Sequence, residues 1–403
     1  MAFFRRVLST TKQIKHLSKS YFSNNNNYCS LPSYMNAAVF WEPNKPLTIQ
    51  QLHMPRPKTG EVLIKTKACG VCHSDLHTIN GHNPMASPGV LGHEITGEIV
   101  EHGPFTDTKT IQRLPIGARV VGAFIMPCGN CSYCSKGHDD LCRDYFAHNA
   151  AKGTLYDGQT RLFLRNNVYM KCMGGLAEYC VSPANGVSVL PNSLPYAESS
   201  ILGCAVFTAY GAMAHAAQLR PGDSIAIIGI GGVGSSCLQL AKAFGASHII
   251  AVDIEDEKLL KAKASGATHT INARKQDVAN TIRDITEGMG VDIAVEALGR
   301  PETFMQCTKS VKDGGKAVMI GMAPEGCVGH IDMKQLVRRK IQVVGSYGGR
   351  ARQDLPKLIK LAESGIFNLS DVVSRIYNFQ DLNQAYQDLN QRKIIGRAVI
   401  QIS

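Results

Sequence analysis

Ser224–Ile254, SIAIIGIGGVGSSCLQLAKAFGASHIIAVDI, reads as a strand, a glycine turn, a helix and a second strand. Gly229, Gly231 and Gly234 form G-x-G-x-x-G, with Gly232 and Val233 inside the turn. Lacking side chains, such glycines let backbone amides approach a pyrophosphate at a helix N-terminus. Leu238, Ala241 and Phe244 fall on one face of the helix that follows. The fingerprint gains meaning from its context, a strand before, a helix after and an acid closing the second strand. That acid is Asp253, nineteen residues after Gly234. A carboxylate there accepts hydrogen bonds from the adenosine ribose and repels a 2′-phosphate, which predicts NAD rather than NADP.

Downstream, ATHTINA (267–273), VDIAVEALG (291–299), KAVMIGM (316–322) and IQVVGSYGG (341–349) continue the alternation. Together they predict an α/β fold with a doubly wound, six-stranded parallel sheet. Upstream the pattern differs. From Tyr34 to about Tyr179, short apolar runs such as EVLIKTKACG, EITGEIV, ARVVGAF and GLAEYCV are broken by Gly and Pro, as in a β-rich domain. Within it lies CGNCSYCSKGHDDLC, with Cys128, Cys131 and Cys134 two residues apart and Cys142 seven further on. Four thiolates at this spacing close a tetrahedral zinc site with no open position, so a structural role is expected. Cys172 and Cys180 belong to no motif and read as core or surface residues.

A chain of 403 residues holds two domains with substantial cores. Its 44% hydrophobic and 19% charged composition is that of a globular protein, and no apolar run approaches the roughly 18 residues of a membrane span. The net charge of +11 includes Arg5, Arg6, Lys12, Lys15 and Lys19, with no acid before Glu42. The remainder is spread without a basic run or an aromatic-basic patch, which argues against a nucleic-acid partner. Thirteen cysteines at metal-site spacings fit a reducing compartment. The opening MAFFRRVLSTTKQIKHLSKSYFS is basic, Ser/Thr-rich and acid-free, with Phe3, Val7, Ile14 and Leu17 on one helical face. That composition predicts a mitochondrial transit peptide over 1–33 and a matrix location, the alternative being a bland tail on a cytoplasmic protein.

Two further stretches, ACGVCHSDLHTIN (68–80) and GVLGHEITGEIVEHG (89–103), hold Cys72 and His93. Thiolate and imidazole both bind Zn²⁺, and a catalytic zinc has three protein ligands plus an open position. Taken singly, Cys72 and His93 read equally as a buried cysteine and a core histidine. The order Cys-His-Ser-Asp-x-x-His followed by Gly-His-Glu-x-x-Gly, however, resembles the zinc-dependent medium-chain alcohol dehydrogenases. The resemblance extends through KGTLYDGQTRLFLRNNVYMKCMGGLAEYCV, GCAVFTAYG, GSYGGRARQDLPKLIKLAESG and GRAVIQI, about residues 35 to 403.

It implies a GroES-like catalytic domain at 34–206, a Rossmann domain at 207–346, and a return to the catalytic domain at 347–403. Cys72, His93 and Cys204 would be the catalytic-zinc ligands, with Ser74 and His77 as a proton relay. Asp75 would orient the ligand histidine and Glu94 would be the acid beside the metal. The four-cysteine lobe would hold the second zinc. His73, Thr208, Lys258 and Arg397 would contact NAD together with the glycine turn and Asp253. His73 stands where many members of that family carry Arg, which implies a weaker grip on the cofactor phosphates. The implied activity is interconversion of alcohols with aldehydes or ketones, the metal lowering the pKa of a bound alcohol whose proton leaves through Ser74, the nicotinamide ribose and His77. Relatives are dimers or tetramers, so a homo-oligomer is implied. The alternatives are an NAD(P)H-dependent carbonyl or semialdehyde reductase and, from another class, a non-catalytic NAD-binding protein. Met126 and Tyr347 match no pocket of the family.

Overall fold

In a computed structural model of the chain, residues 31–403 are described, so the leader expected over 1–33 falls outside them except for its last three residues. Tyr34–Ser403 forms one compact unit. Its first part holds β1 (Tyr34–Phe40), β2 (Thr48–His53), β3 (Glu61–Val71), β4 (Gly89–Val90), β5 (Ile95–His102) and β6 (Arg119–Gly122). After the cysteine-rich lobe follow β7 (Leu162–Phe163), β8 (Asn167–Met170), β9 (Tyr179–Pro183) and β10 (Val187–Val189). These build a five-stranded sheet, β2-β1-β4-β8-β7, and most of a seven-stranded sheet, β10-β6-β5-β3 with β9 also paired to β3. The C-terminal segment completes the larger sheet with β17 (Val373–Asn378) and β18 (Arg397–Gln401), β18 lying against β3.

Between them runs the parallel sheet read from the sequence: β11 (Ser224–Ile228), β12 (His248–Asp253), β13 (His269–Asn272), β14 (Val291–Glu296), β15 (Val311–Met319) and β16 (Gln342–Gly345). Their spatial order is β13-β12-β11-β14-β15-β16. The central strands are unbroken apolar runs because helices cover both faces, leaving Ile225, Ile227, Ile250 and Val295 without solvent exposure. Successive strands are added outward on one side of β11 and then, from β14, on the other, so the crevice beyond the ends of β11 and β14 is the topological switch point where such sheets bind ligands. The glycine turn opens into it. Leu238 and Ala241 of the helix Gly232–Ala243 are fully buried, whereas Phe244 caps that helix, half-buried, with its ring edge-on to Tyr210.

Among the described residues no single helix is long and apolar enough to cross a membrane. One bent pair, Tyr196–Gly203 with Ala205–Ala217, passes by length and composition. It carries Cys204 and is a core element, with Ile201, Leu202, Val206 and Phe207 fully buried.

Candidate active site and metal centres

Strand register brings the distant residues together. β3 and β5 pair antiparallel with Cys69 opposite Ile95, so Cys72, one step beyond β3, meets His93 and Glu94, which lead into β5. Gly70 N–H donates to the Glu94 carbonyl at 2.8 Å, pinning that crossing. On the other side of β3, Ala398 faces Val71, which sets Arg397 beside Cys72. Cys204 arrives from the core helix pair, where the Thr208 N–H donates to its carbonyl at 2.7 Å. The Gly203 carbonyl is tied to the Phe124 N–H just past β6.

The result is a buried set, Cys72, His93, Glu94 and Cys204, whose ligand atoms lie within 4.8 Å of one another. The neighbouring Cys204 thiol holds Cys72 well below its ordinary pKa range, and Cys72 together with burial holds Cys204 well above. Burial raises the Glu94 pKa to about 7 although Arg397 opposes it. A thiolate, imidazole and carboxylate gathered out of water without a bound cation would be costly, and bound to zinc they are a matched donor set. The residues therefore fit a catalytic zinc.

The short helix His73–Ile79 starts at Cys72 and presents the neighbouring groups. Asp75, fully buried, lies 3.3 Å through Oδ1 from His93 Nδ1. Burial would raise its pKa, but His93 and Lys171 outweigh that and hold it below the usual value. Such a carboxylate fixes the tautomer and leaves His93 Nε2 for the metal. The Ser74 hydroxyl donates to Cys72 Sγ at 3.3 Å and lies 3.3 Å from His93 Nε2. His77, half-buried, reaches outward to the exposed His82, their Nδ1 atoms 3.4 Å apart. His73 is exposed at the start of the helix, its ring 6.4 Å from that of His77.

Asp253 lies at the end of β12 beside the glycine turn. Its Oδ2 accepts from Ile230 N–H at 2.8 Å, and its Oδ1 accepts from Ile254 N–H at 2.7 Å and Glu255 N–H at 3.1 Å. Lys258 Nζ stands 3.9 Å from Oδ2. Gly229 adopts φ +97°, and a Cβ on Gly234 would run into the Gly229 carbonyl, so helix and strand are in backbone contact there. Arg397 bridges the two sites. Its Nη2 is 2.9 Å from Glu94 Oε1, and a Cβ on Gly232 would fall 2.9 Å from its Nε. Thr208 belongs to the core helix Ala205–Tyr210 and Val233 to the helix Gly232–Ala243, and the two helices pack together.

The second cluster, Cys128, Cys131, Cys134 and Cys142, also has its sulfurs within 4.8 Å. Cys128 N–H points to Cys142 Sγ and Cys131 N–H to Cys128 Sγ, both at 3.3 Å, as expected of thiolates. Burial opposes ionisation of Cys131, but the N–H groups of Cys134, Arg143 and Tyr133 push its pKa down to about 6. All four donors are sulfur, which fits a closed zinc site.

Three features escape a reading of spacing. Lys171 Nζ donates to Thr78 Oγ1 at 2.8 Å and to the Ser74 carbonyl, and lies 3.6 Å from Asp75. Tyr386 OH reaches Asp75 Oδ2 at 3.4 Å. An aromatic group covers the cluster: Phe124 stands edge-on to His93 (6.1 Å), Phe207 (5.9 Å) and Tyr347 (5.4 Å). Cys172 and Cys180 are both buried, Cys172 with its Sγ 3.5 Å from Tyr145 OH.

Residues 232–364 match the family described as zinc-binding dehydrogenase, and residues 58–192 match the alcohol dehydrogenase GroES-like domain. Alcohol dehydrogenase B of Mycobacterium tuberculosis is 36% identical over 372 residues, spanning 89% of this chain and 96% of that protein. The crystal structure of benzyl alcohol dehydrogenase from Acinetobacter calcoaceticus superposes with a TM-score of 0.86 at 32% identity, covering 92% of this chain and 100% of that one. An alcohol dehydrogenase zinc-binding domain protein from Burkholderia ambifaria gives a TM-score of 0.86 at 31% identity, with 92% and 99% covered.

Proposed function

The chain belongs to the zinc-binding medium-chain dehydrogenases, with a GroES-like catalytic domain and a Rossmann domain, and from that membership we propose that it interconverts alcohols with aldehydes or ketones using NAD. The observation that carries this reading is the buried Cys72–His93–Glu94–Cys204 cluster joined through Arg397 to the dinucleotide turn. When bound, zinc at Cys72, His93 and Cys204 supplies a Lewis acid for the substrate oxygen, and NAD supplies the hydride acceptor.

The protein's own groups then act around that centre. Asp75, held by Lys171 and Tyr386, keeps His93 in one orientation. Ser74 Oγ is the hydroxyl next to the ligand atoms and receives the substrate proton. His77, on the same helix face toward solvent, passes it outward. Phe124 and Phe207 shield the opposite side from water. Asp253 orients the adenosine ribose, and Lys258 steadies it. Arg397 balances Glu94 at one end and meets the backbone of the phosphate turn at the other.

The test is NADH formation by the purified protein over a panel of primary and secondary alcohols, run also in reverse with the matching carbonyl compounds. Turnover in both directions supports the reading. No turnover with any alcohol overturns it, and turnover of carbonyls alone moves the assignment to a reductase.

A homo-oligomer fits the edge of the parallel sheet, where edge strand β16 exposes Val343 and the helix Met333–Arg338 that precedes it in the chain exposes Met333 and Val337. Light scattering behind a sizing column measures it, and a monomer contradicts it. Import into mitochondria is proposed from the acid-free segment 1–33. Identical cytosolic distributions of tagged chains with and without that segment would sink it.

A further inference from the structure

The cysteine-rich lobe grips the segment that leads away from the site's aromatic wall. Asp139, between Cys134 and Cys142, is fully buried. Arg352 meets it with Nη2–H to Oδ1 at 2.6 Å, Nε–H at 3.1 Å and the main-chain N–H to Oδ2 at 3.1 Å. The same Nη2 donates to the Cys134 carbonyl at 2.7 Å. Gln353 donates to the Gly137 carbonyl at 2.9 Å, and Arg350 Nη2 lies 3.2 Å from His138 Nδ1. A planar guanidinium on a buried carboxylate fixes direction as well as distance, which a lysine cannot do.

Tyr347 lies at the other end of this clamp. Its ring is edge-on to Phe124 at 5.4 Å and tilted against Phe146 at 5.8 Å, with Phe124 in turn against the ligand histidine His93. Between ring and clamp, Gly348 and Gly349 are pressed onto aromatic faces. A Cβ on Gly348 would fall 2.9 Å from Phe124 Cζ, and one on Gly349 2.9 Å from Phe207 Cε2. The segment therefore has no slack: a shift at Arg352 is transmitted to Tyr347. Tyr347 still exposes 41% of its surface. Burial first, and then the thiols of Cys172, Cys204 and Cys72, push its hydroxyl pKa up, while a hydrogen bond with Tyr145 opposes them.

We propose that Tyr347 is a specificity-determining wall of the substrate cleft, favouring alcohols whose carbinol carbon bears a planar unsaturated ring, and that Arg352 positions it through Asp139. The proposal rests on the alcohol dehydrogenase reading above. An edge-on or offset ring pair adds enough beyond simple burial to change affinity by up to roughly tenfold.

The experiment compares kcat/KM for benzyl alcohol and 1-propanol, at saturating NAD, in the full-length protein and its variants. In Tyr347→Ala the benzyl-to-propyl ratio falls about tenfold, mostly through KM, and Tyr347→Phe keeps it. Arg352→Gln lowers the ratio in the same direction without touching substrate, Arg352→Lys falls between, and the double variant Tyr347→Ala/Arg352→Gln falls no further than Tyr347→Ala. If Arg352→Gln lowers both substrates equally, its role is merely structural and the positioning claim is overturned. An unchanged ratio in Tyr347→Ala overturns the specificity claim while leaving the alcohol dehydrogenase reading intact. A wild-type protein that oxidises neither probe defeats that reading and this proposal with it.

Discussion

Replacing Asp253 by Asn separates what the carboxylate does for cofactor choice from what it does for the fold. In the structure its two oxygens accept three backbone N–H groups, from Ile230, Ile254 and Glu255. Asn keeps one acceptor oxygen and turns an NH₂ toward the other donors, so at least one buried N–H loses its partner, at a cost of about 1–3 kcal/mol in stability. Cofactor choice responds separately. A ribose hydroxyl bonded to a charged acceptor is worth about 1.5–3 kcal/mol, which NAD loses in the variant. A 2′-phosphate about 5 Å from the carboxylate is repelled by roughly 3 kcal/mol at an effective dielectric of about 20, which NADP no longer meets. Together these terms lower the NAD-to-NADP ratio of kcat/KM by about 10³-fold or more. The assay is steady-state kinetics with each cofactor at saturating alcohol, alongside thermal unfolding. If both cofactors lose the same factor and the ratio stands, Asp253 holds only the turn and the cofactor argument is refuted.

Gly234→Ala forces a methyl group onto the Gly229 carbonyl; we expect about 1–3 kcal/mol of destabilisation and weaker NAD binding by calorimetry, with metal content unchanged. Cys142→Ser should release one zinc of two and lower the melting temperature, because the lobe loses a ligand and its clamp on Arg352, while the Cys72–His93–Cys204 centre keeps its metal by elemental analysis. His77→Gln should slow alcohol oxidation by about 10²-fold or more, with partial recovery in imidazole buffer; full activity without added buffer would remove His77 from the proton path.

The parts legible in the sequence were those whose signal is local. The central strands β11 and β12 hold contiguous apolar runs, the glycine turn and Asp253 lie within one βαβ unit, and the four lobe cysteines span fifteen residues. Cys72, His93 and Cys204 could be joined across 132 residues only because the whole ordered motif resembled a family; spacing alone carries no such information. What escaped is set by register and by packing between remote segments. Arg397 meets Glu94 because β18 pairs with β3, Lys171 reaches Asp75 across β8 and the helix beginning at His73, and Arg352 finds Asp139 across 213 residues. Tyr347 matched nothing in sequence because its role depends on Phe124 and Phe146, neither of which lies near it in the chain. Phe244 fell on the buried face by helical periodicity, but the helix ends before it, and it packs as a cap on Tyr210.

Anomalous scattering from crystals at the zinc edge tests the central claim most directly. Two peaks per chain are expected, one about 2.3 Å from the sulfurs of Cys72 and Cys204 and about 2.0–2.1 Å from a His93 nitrogen, the other enclosed by Cys128, Cys131, Cys134 and Cys142. A single peak in the lobe, with Cys72, His93 and Cys204 bare, would contradict it.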